Sequence, residues 1–184
     1  PKAFTMRNIT LRRAAITLNR DDGIENDANR DGVLVDRCLI ESFVCISQRS
    51  GIDDVNARMT IQDSLLYALP CRYFGVADRT QIIFKLDSGC GKFIVTNTIF
   101  AAEALTYTGD SVFRDLITFD KVDTWEGNTF CWLGAGANPH AVPAGTTVLT
   151  SSTNPTAQDF WDAALATWWD EFPGHRFSFD PVAP

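Results

Sequence analysis

The chain has 184 residues, 45% hydrophobic and 21% charged, and carries a formal net charge of −7. That balance suits a single domain, 1–184, with a sizeable core, and it excludes a disordered chain. No run approaches the roughly 20 apolar residues of a membrane-spanning helix, and the acidic balance argues against a protein that coats nucleic acid through counterion release.

Charge is unevenly spread. Residues 1–20 carry Lys2, Arg7, Arg12, Arg13 and Arg20 and no acid. This basic arm can attract the acidic body of a neighbouring copy, touch a phosphate backbone, or stand as a solvated strand. Pro1 suits removal of an initiator Met, and no secretory leader is visible. The expectation is therefore a protein made in the cytoplasm.

In chain order, residues 3–18 alternate imperfectly and predict one or two strands. Residues 19–32 are dense in turn formers and predict a polar loop. Residues 33–48 are rich in β-branched side chains and lean to strand, although Leu34, Cys38 and Cys45 also fit a helix. Residues 53–69 predict a helix capped by Asp53 or Asp54 and stopped by Pro70, with Val55, Met59, Gln62, Leu65, Leu66 and Leu69 near one face. TQIIFKL and KFIVTNT, separated by Asp87–Gly91, predict a hairpin with a Gly-rich tip, a plausible contact loop. A short helix is expected over 99–105, and short strands around VFRDLITF and TFCWL. Residues 134–147 form a long Gly/Ala/Pro loop of the kind that carries interfaces. A β-type TVLT follows. Thr153 or Asn154, with Pro155 behind it, starts a final helix that runs to about Glu171. No internal repeat is visible.

Each candidate site has a plainer alternative. Asp27-Ala28-Asn29-Arg30-Asp31-Gly32 resembles the opening of an EF-hand or dockerin calcium loop, in which alternate oxygens turn inward and Gly permits the bend. The likeness ends after six residues, because Cys38 stands where a bidentate acid belongs. An Asx-rich turn explains the same residues. A calcium site here would use Asp27, Asn29 and Asp31; no other cofactor is implied. Ser88-Gly89-Cys90-Gly91-Lys92 lacks the Gly and the Ser/Thr of a phosphate-binding loop. The two histidines, His140 and His175, sit in no nucleophile or metal motif. Asp159, Asp162, Asp170 and Glu171 flank Trp residues as in sugar sites, yet acids near a helix start follow from its dipole.

The five cysteines, Cys38, Cys45, Cys71, Cys90 and Cys131, form no C-x-x-C pair. They read as buried reduced thiols or as cross-links between adjacent subunits, with Cys38, Cys90 and Cys131 the candidates. The last helix carries Phe160, Ala164, Leu165, Trp168, Trp169 and Phe172 at helical spacing. At least one Trp should sit at the edge of its buried face, and Trp161 or Trp169 is the candidate anchor.

The residues together imply an α+β fold: a β-rich mixed sheet or sandwich with two or three helices, including the aromatic-rich C-terminal one. With no reactive constellation, the expected role is structural. The chain would be a non-enzymatic subunit that contacts copies of itself and other structural proteins in a larger particle, such as a viral (phage) capsid, neck or tail component, through Arg7, Arg12, Arg13 and the cysteines and tryptophans just named. The alternative is a carbohydrate-binding module supported by calcium.

Overall fold

The computed structural model describes residues 8–26, 31–49, 56–72, 79–106 and 108–175. The chain winds as a parallel β-solenoid. Each coil contributes a short strand to one sheet, turns a tight corner, and contributes a second strand to another sheet. Sheet A holds β1 (Thr10–Arg12), β3 (Val33–Asp36), β5 (Arg58–Gln62), β10 (Lys92–Thr96) and β12 (Val122–Glu126), side by side in that order. Sheet B runs β2 (Ala15–Asn26), β4 (Leu39–Gln48), β6 (Leu65–Ala68), β11 (Ile99–Ala102), β13 (Thr129–Trp132) and β14 (Thr147–Leu149), with β9 (Ile82–Leu86) paired to the far half of β4. Every pairing in these two sheets is parallel. A small antiparallel ribbon joins β7 (Cys71–Arg72) to β8 (Arg79–Thr80).

The corner between the sheets explains the repeat. Arg13, Arg37, Asp63 and Asn97 each adopt φ between 49° and 54°, and Gly127 adopts 65°. This is the left-handed turn that Asn, Asp and Gly enter most readily. Cys38, Ser64, Thr98 and Asn128, which follow four of these corners, are buried, and polar side chains from the next coil satisfy backbone groups there. Cys38 N donates to Ser64 Oγ at 3.0 Å, Thr98 N donates to Asn128 Oδ1 at 3.0 Å, and Asn128 Nδ2 donates to Val95 O at 3.0 Å. Buried polar groups paired in this way lose the penalty of desolvation.

Inward positions stack in columns. Val35, Ile61 and Val95 form one, and Ile40, Leu66, Phe100 and Phe130 another, all fully buried. Phe113 enters the core from the start of α1 (Arg114–Thr118). Its ring meets Phe84, Phe100, Trp125 and Phe130 at 5.2–6.1 Å between centroids. The outer face of sheet B is covered by α2 (Ala157–Glu171), which packs Trp161 and Trp168 against Leu39, Leu65, Ala101 and Cys131. Fifteen residues span about 22 Å, enough to cross four or five coils at a strand spacing of about 4.8 Å. Trp168 Nε1 accordingly donates to Arg37 O at 3.0 Å, on the coil formed by β3 and β4.

The α+β class fits this sheet-dominated fold with its two helices, and the strand expected over 33–48 is present as β3 and β4. Several local expectations are corrected. Residues 58–68 are not helical: the apolar spacing comes from two strands, β5 and β6, broken by the Asp63 corner. The expected hairpin over 80–98 does not form. Its two strands exist, but β9 joins sheet B while β10 joins sheet A, so Asp87–Gly91 is a crossing between sheets. Residues 99–102 are strand β11. The segment VFRDLITF forms α1 where a strand was expected, and β2 extends through Asn26 into the expected polar loop. The last helix starts slightly later than expected, at N-cap Thr156, whose side chain accepts from Asp159 N. The caps expected at Asp53 or Asp54 lie outside the described residues.

Candidate functional site at the N-terminal end of the solenoid

The first described coil, β1 and β2, ends both sheets: the outer edges of the two strands face no other strand among the described residues. Leu11 continues the column of Val35, Ile16 that of Ile40, and Ala14 precedes Cys38 in the corner ladder. Val35, Cys38 and Ile40 are fully buried, but Leu11, Ala14 and Ile16 are only half-buried. Leu18 stands out further. It is 78% exposed, the most exposed large hydrophobic residue described, and Ile9 on the same coil is 39% exposed. Leu18 also holds φ at 55°. A bulky non-glycine residue adopts that conformation at an energetic cost, and such strain is commonly kept at sites with a purpose.

Arg12 and Arg13, singled out from the sequence, lie on this coil. Arg12 Nε bonds Asp36 Oδ2 on the next coil. Burial alone would raise the Asp36 carboxyl. Hydrogen bonds from Gln62 and Arg12, with the charges of Arg12 and Arg37, outweigh it and hold the group below the usual carboxylate range. Arg13 lies over the Phe172 ring at 5.8 Å, tying the coil to the end of α2. Arg7 lies outside the described residues.

The remaining candidates are scattered. Cys38, Cys90 and Cys131 are fully buried, so the structure brings none of the three to the surface. Burial raises all three thiols, Cys131 to about 12, which leaves them protonated and unreactive near neutral pH. Cys71 is half-buried. Trp161 is buried beneath α2, 5.8 Å from the Tyr67 ring. Trp169 is half-buried and meets Trp168 edge-on at 5.0 Å. The other tryptophans, Trp125 and Trp132, face the core. Asp27 and Asn29 lie outside the described residues. Asp31 uses Oδ1 to accept from Arg58 N at 2.9 Å, and Gly32 turns with φ 74°. Asp159 serves the α2 cap and Asp162 accepts from Gln158, roles that account for their place on the helix. Leu18 escaped the sequence reading because it sits in an alternating run, where an exposed leucine and a core leucine look alike.

The sequence matches no family model and no curated protein, and no solved structure matches the chain.

His140 anchors the 134–147 loop to the core. Burial pushes its imidazole down to about 4, with the Ala104 carbonyl opposing weakly. In the unfolded chain the ring titrates near 6.5. Between those values the unfolded state binds the extra proton. The stabilisation from burying neutral His140 is therefore complete above pH 6.5 and is lost as pH falls towards and through 4. The melting temperature is expected to drop between pH 7 and 4.5, with a shallower slope in His140→Gln. Equal slopes in calorimetry would show that another group controls acid sensitivity.

Proposed function

We propose that this protein is an assembly subunit that docks through the N-terminal end of its solenoid, onto copies of itself and other structural proteins of a larger particle such as a viral capsid, neck or tail. The exposed, strained Leu18, on a coil whose outer edge meets no other strand among the described residues, carries the reading. A parallel edge with unpaired backbone groups is a template for adding another strand, and solenoids need a cap or a partner at each end. Ile9 and the half-buried Leu11, Ala14 and Ile16 supply apolar area beside Leu18, and Arg12 and Arg13 supply charge that an acidic partner surface would complement. The buried thiols support an association that does not depend on disulfides.

Sedimentation of the full chain at concentrations up to about 0.1 mM, with and without reductant, tests this. Self-association is expected to be indifferent to reductant and weakened at least about tenfold, near 1.4 kcal/mol, by Leu18→Arg. A wild-type chain that stays monomeric throughout that range, or an oligomer unaffected by Leu18→Arg, would remove the end-on self-assembly reading.

A further inference from the structure

We infer that the C-terminal end of the solenoid is a second interaction surface, and that it receives the N-terminal end of another copy, head to tail. The inference rests on the end-on docking proposed above and names the surface that takes it.

Both ends of the stack are unfinished in the same way. The inward column of sheet B runs Ile16, Ile40, Leu66, Phe100, Phe130 and Val148 in register. Its four middle members are fully buried, whereas Ile16 and Val148 are only half-buried. β14 ends sheet B as β2 does, with no strand beyond it among the described residues. Every pairing in the sheet is parallel, so its two edges have matching polarity. A second copy laid on in the same sense places its Ala15 beside Thr147 and its Ile16 beside Val148. One contact then closes both open ends of the column.

Charge selects this arrangement over one in which two N-terminal ends meet. Arg12 and Arg13 are exposed, and residues 1–20 contain no acid. Two such ends brought together repel. Asp21 and Glu25 lie on the far half of β2, past the end of β14 in this register. The last coils carry the opposite sign. Between Phe119 and Thr156 the charged residues are Asp120, Lys121, Asp123 and Glu126. Lys121 is buried and donates to Cys90 O at 2.7 Å, and Asp123 is paired with Arg58. The Asp120 side chain is 92% exposed, 3.8 Å from Lys92, and Glu126 is exposed on β12.

The position of Arg12 suits this partner. On the outer face of sheet A its column is Arg12, Asp36, Gln62, Thr96 and Glu126, and Arg12 bonds Asp36 on one side. Stacking puts Glu126 of the next copy on its other side, with one coil between them. Gly145 turns with φ 84° two residues before β14, as Gly127 does before β13, and Trp125 Nε1 donates to Thr146 Oγ1 at 2.8 Å. Residues 141–144, Ala-Val-Pro-Ala, therefore lie alongside β12 and bear no charge. Two coil spacings are about 10 Å, close to the Debye length of about 10 Å at 0.1 M salt, so the attraction is salt-dependent. Unlike ends that fit each other make a heterologous contact, which closes as a ring or continues as a filament.

Sedimentation of the full chain tests the polarity. Wild type should grow past the dimer with rising concentration, and should associate less tightly at about 0.5 M than at about 0.1 M salt. Asp120→Lys combined with Glu126→Lys should weaken self-association about fivefold at low salt. An equimolar mixture of that double variant with Leu18→Arg should form a mixed dimer about as tightly as wild type pairs, and grow no further, because each partner keeps one intact end. All three side chains are exposed, so the fold should survive the changes, and the salt series needs no variant. A mixture that restores nothing would overturn the head-to-tail inference and leave end-on docking standing. So would a wild type that stops at a dimer and ignores the double variant's charges. A wild type that stays monomeric would overturn both this inference and docking onto copies.

Discussion

Phe113→Ala should lower unfolding stability by about 4 kcal/mol, the middle of the range for removal of a buried ring. Phe113 is fully buried, and its ring joins Phe84 of β9, Phe100 of β11, Trp125 of β12 and Phe130 of β13. It therefore plugs the core where both sheets and the short helix meet. The surrounding strands are held by their hydrogen-bonded ladders and cannot close over the space, so the cavity term adds to the lost transfer energy. Urea unfolding should show a lower midpoint. A loss under about 1.5 kcal/mol would mean that the coils collapse around the gap, contrary to a rigid stacked core.

Gly91→Ala should cost about 3 kcal/mol, from overpacking against backbone. A Cβ at position 91 would sit 2.2 Å from Ala57 O and 2.8 Å from Ala57 C, while Lys92 N donates to Ala57 O at 2.9 Å. The clash is with main chain that also pairs into sheet A, so relief requires moving β5 and β10 apart. Gly109→Ala is the informative control. Gly109 has φ 78° and nothing within 4 Å of a Cβ, so its change tests conformational strain without crowding and should cost about 1 kcal/mol. Comparable losses at both positions would argue that the close approach at Gly91 relaxes easily.

The same contrast explains which parts of the fold were legible in the sequence. The C-terminal helix was, because Pro155 and the three- and four-residue aromatic spacing are local signals that tertiary packing reinforced, although its cap is Thr156 where Thr153 or Asn154 was expected. Most β-type runs were legible too, since Val, Ile, Phe and Thr cluster in them. The region 58–68 misled because Met59, Ile61, Leu65 and Leu66 face inward and outward from two strands around a corner, a pattern that mimics helical spacing. The 80–98 region misled for a different reason. A Gly-rich segment between two β-type runs reads as a hairpin, whereas here it carries the chain from sheet B to sheet A.

The repeat itself left no visible trace. Residues that stack in one column follow steps from 11 to 35, 35 to 61, 61 to 95 and 95 to 125. Those steps are unequal, and the corner positions are Arg, Arg, Asp, Asn and Gly. A solenoid tolerates insertions on its loops because loop closure grows costly only slowly with length. The alignment that defines it then exists in space alone.

By itself, the amino-acid order determined which segments favour extended chain, that an aromatic helix closes the chain up to about Glu171, and how charge is distributed, since these depend on neighbours a few residues away. The tertiary structure alone decided which strands lie side by side, that Cys38, Cys90 and Cys131 are sealed in the core, and that Leu18 is left in solvent. The physical reason is that parallel pairing joins residues 18 or more positions apart, as from Thr129 to Thr147, through backbone hydrogen bonds, which carry no side-chain signature.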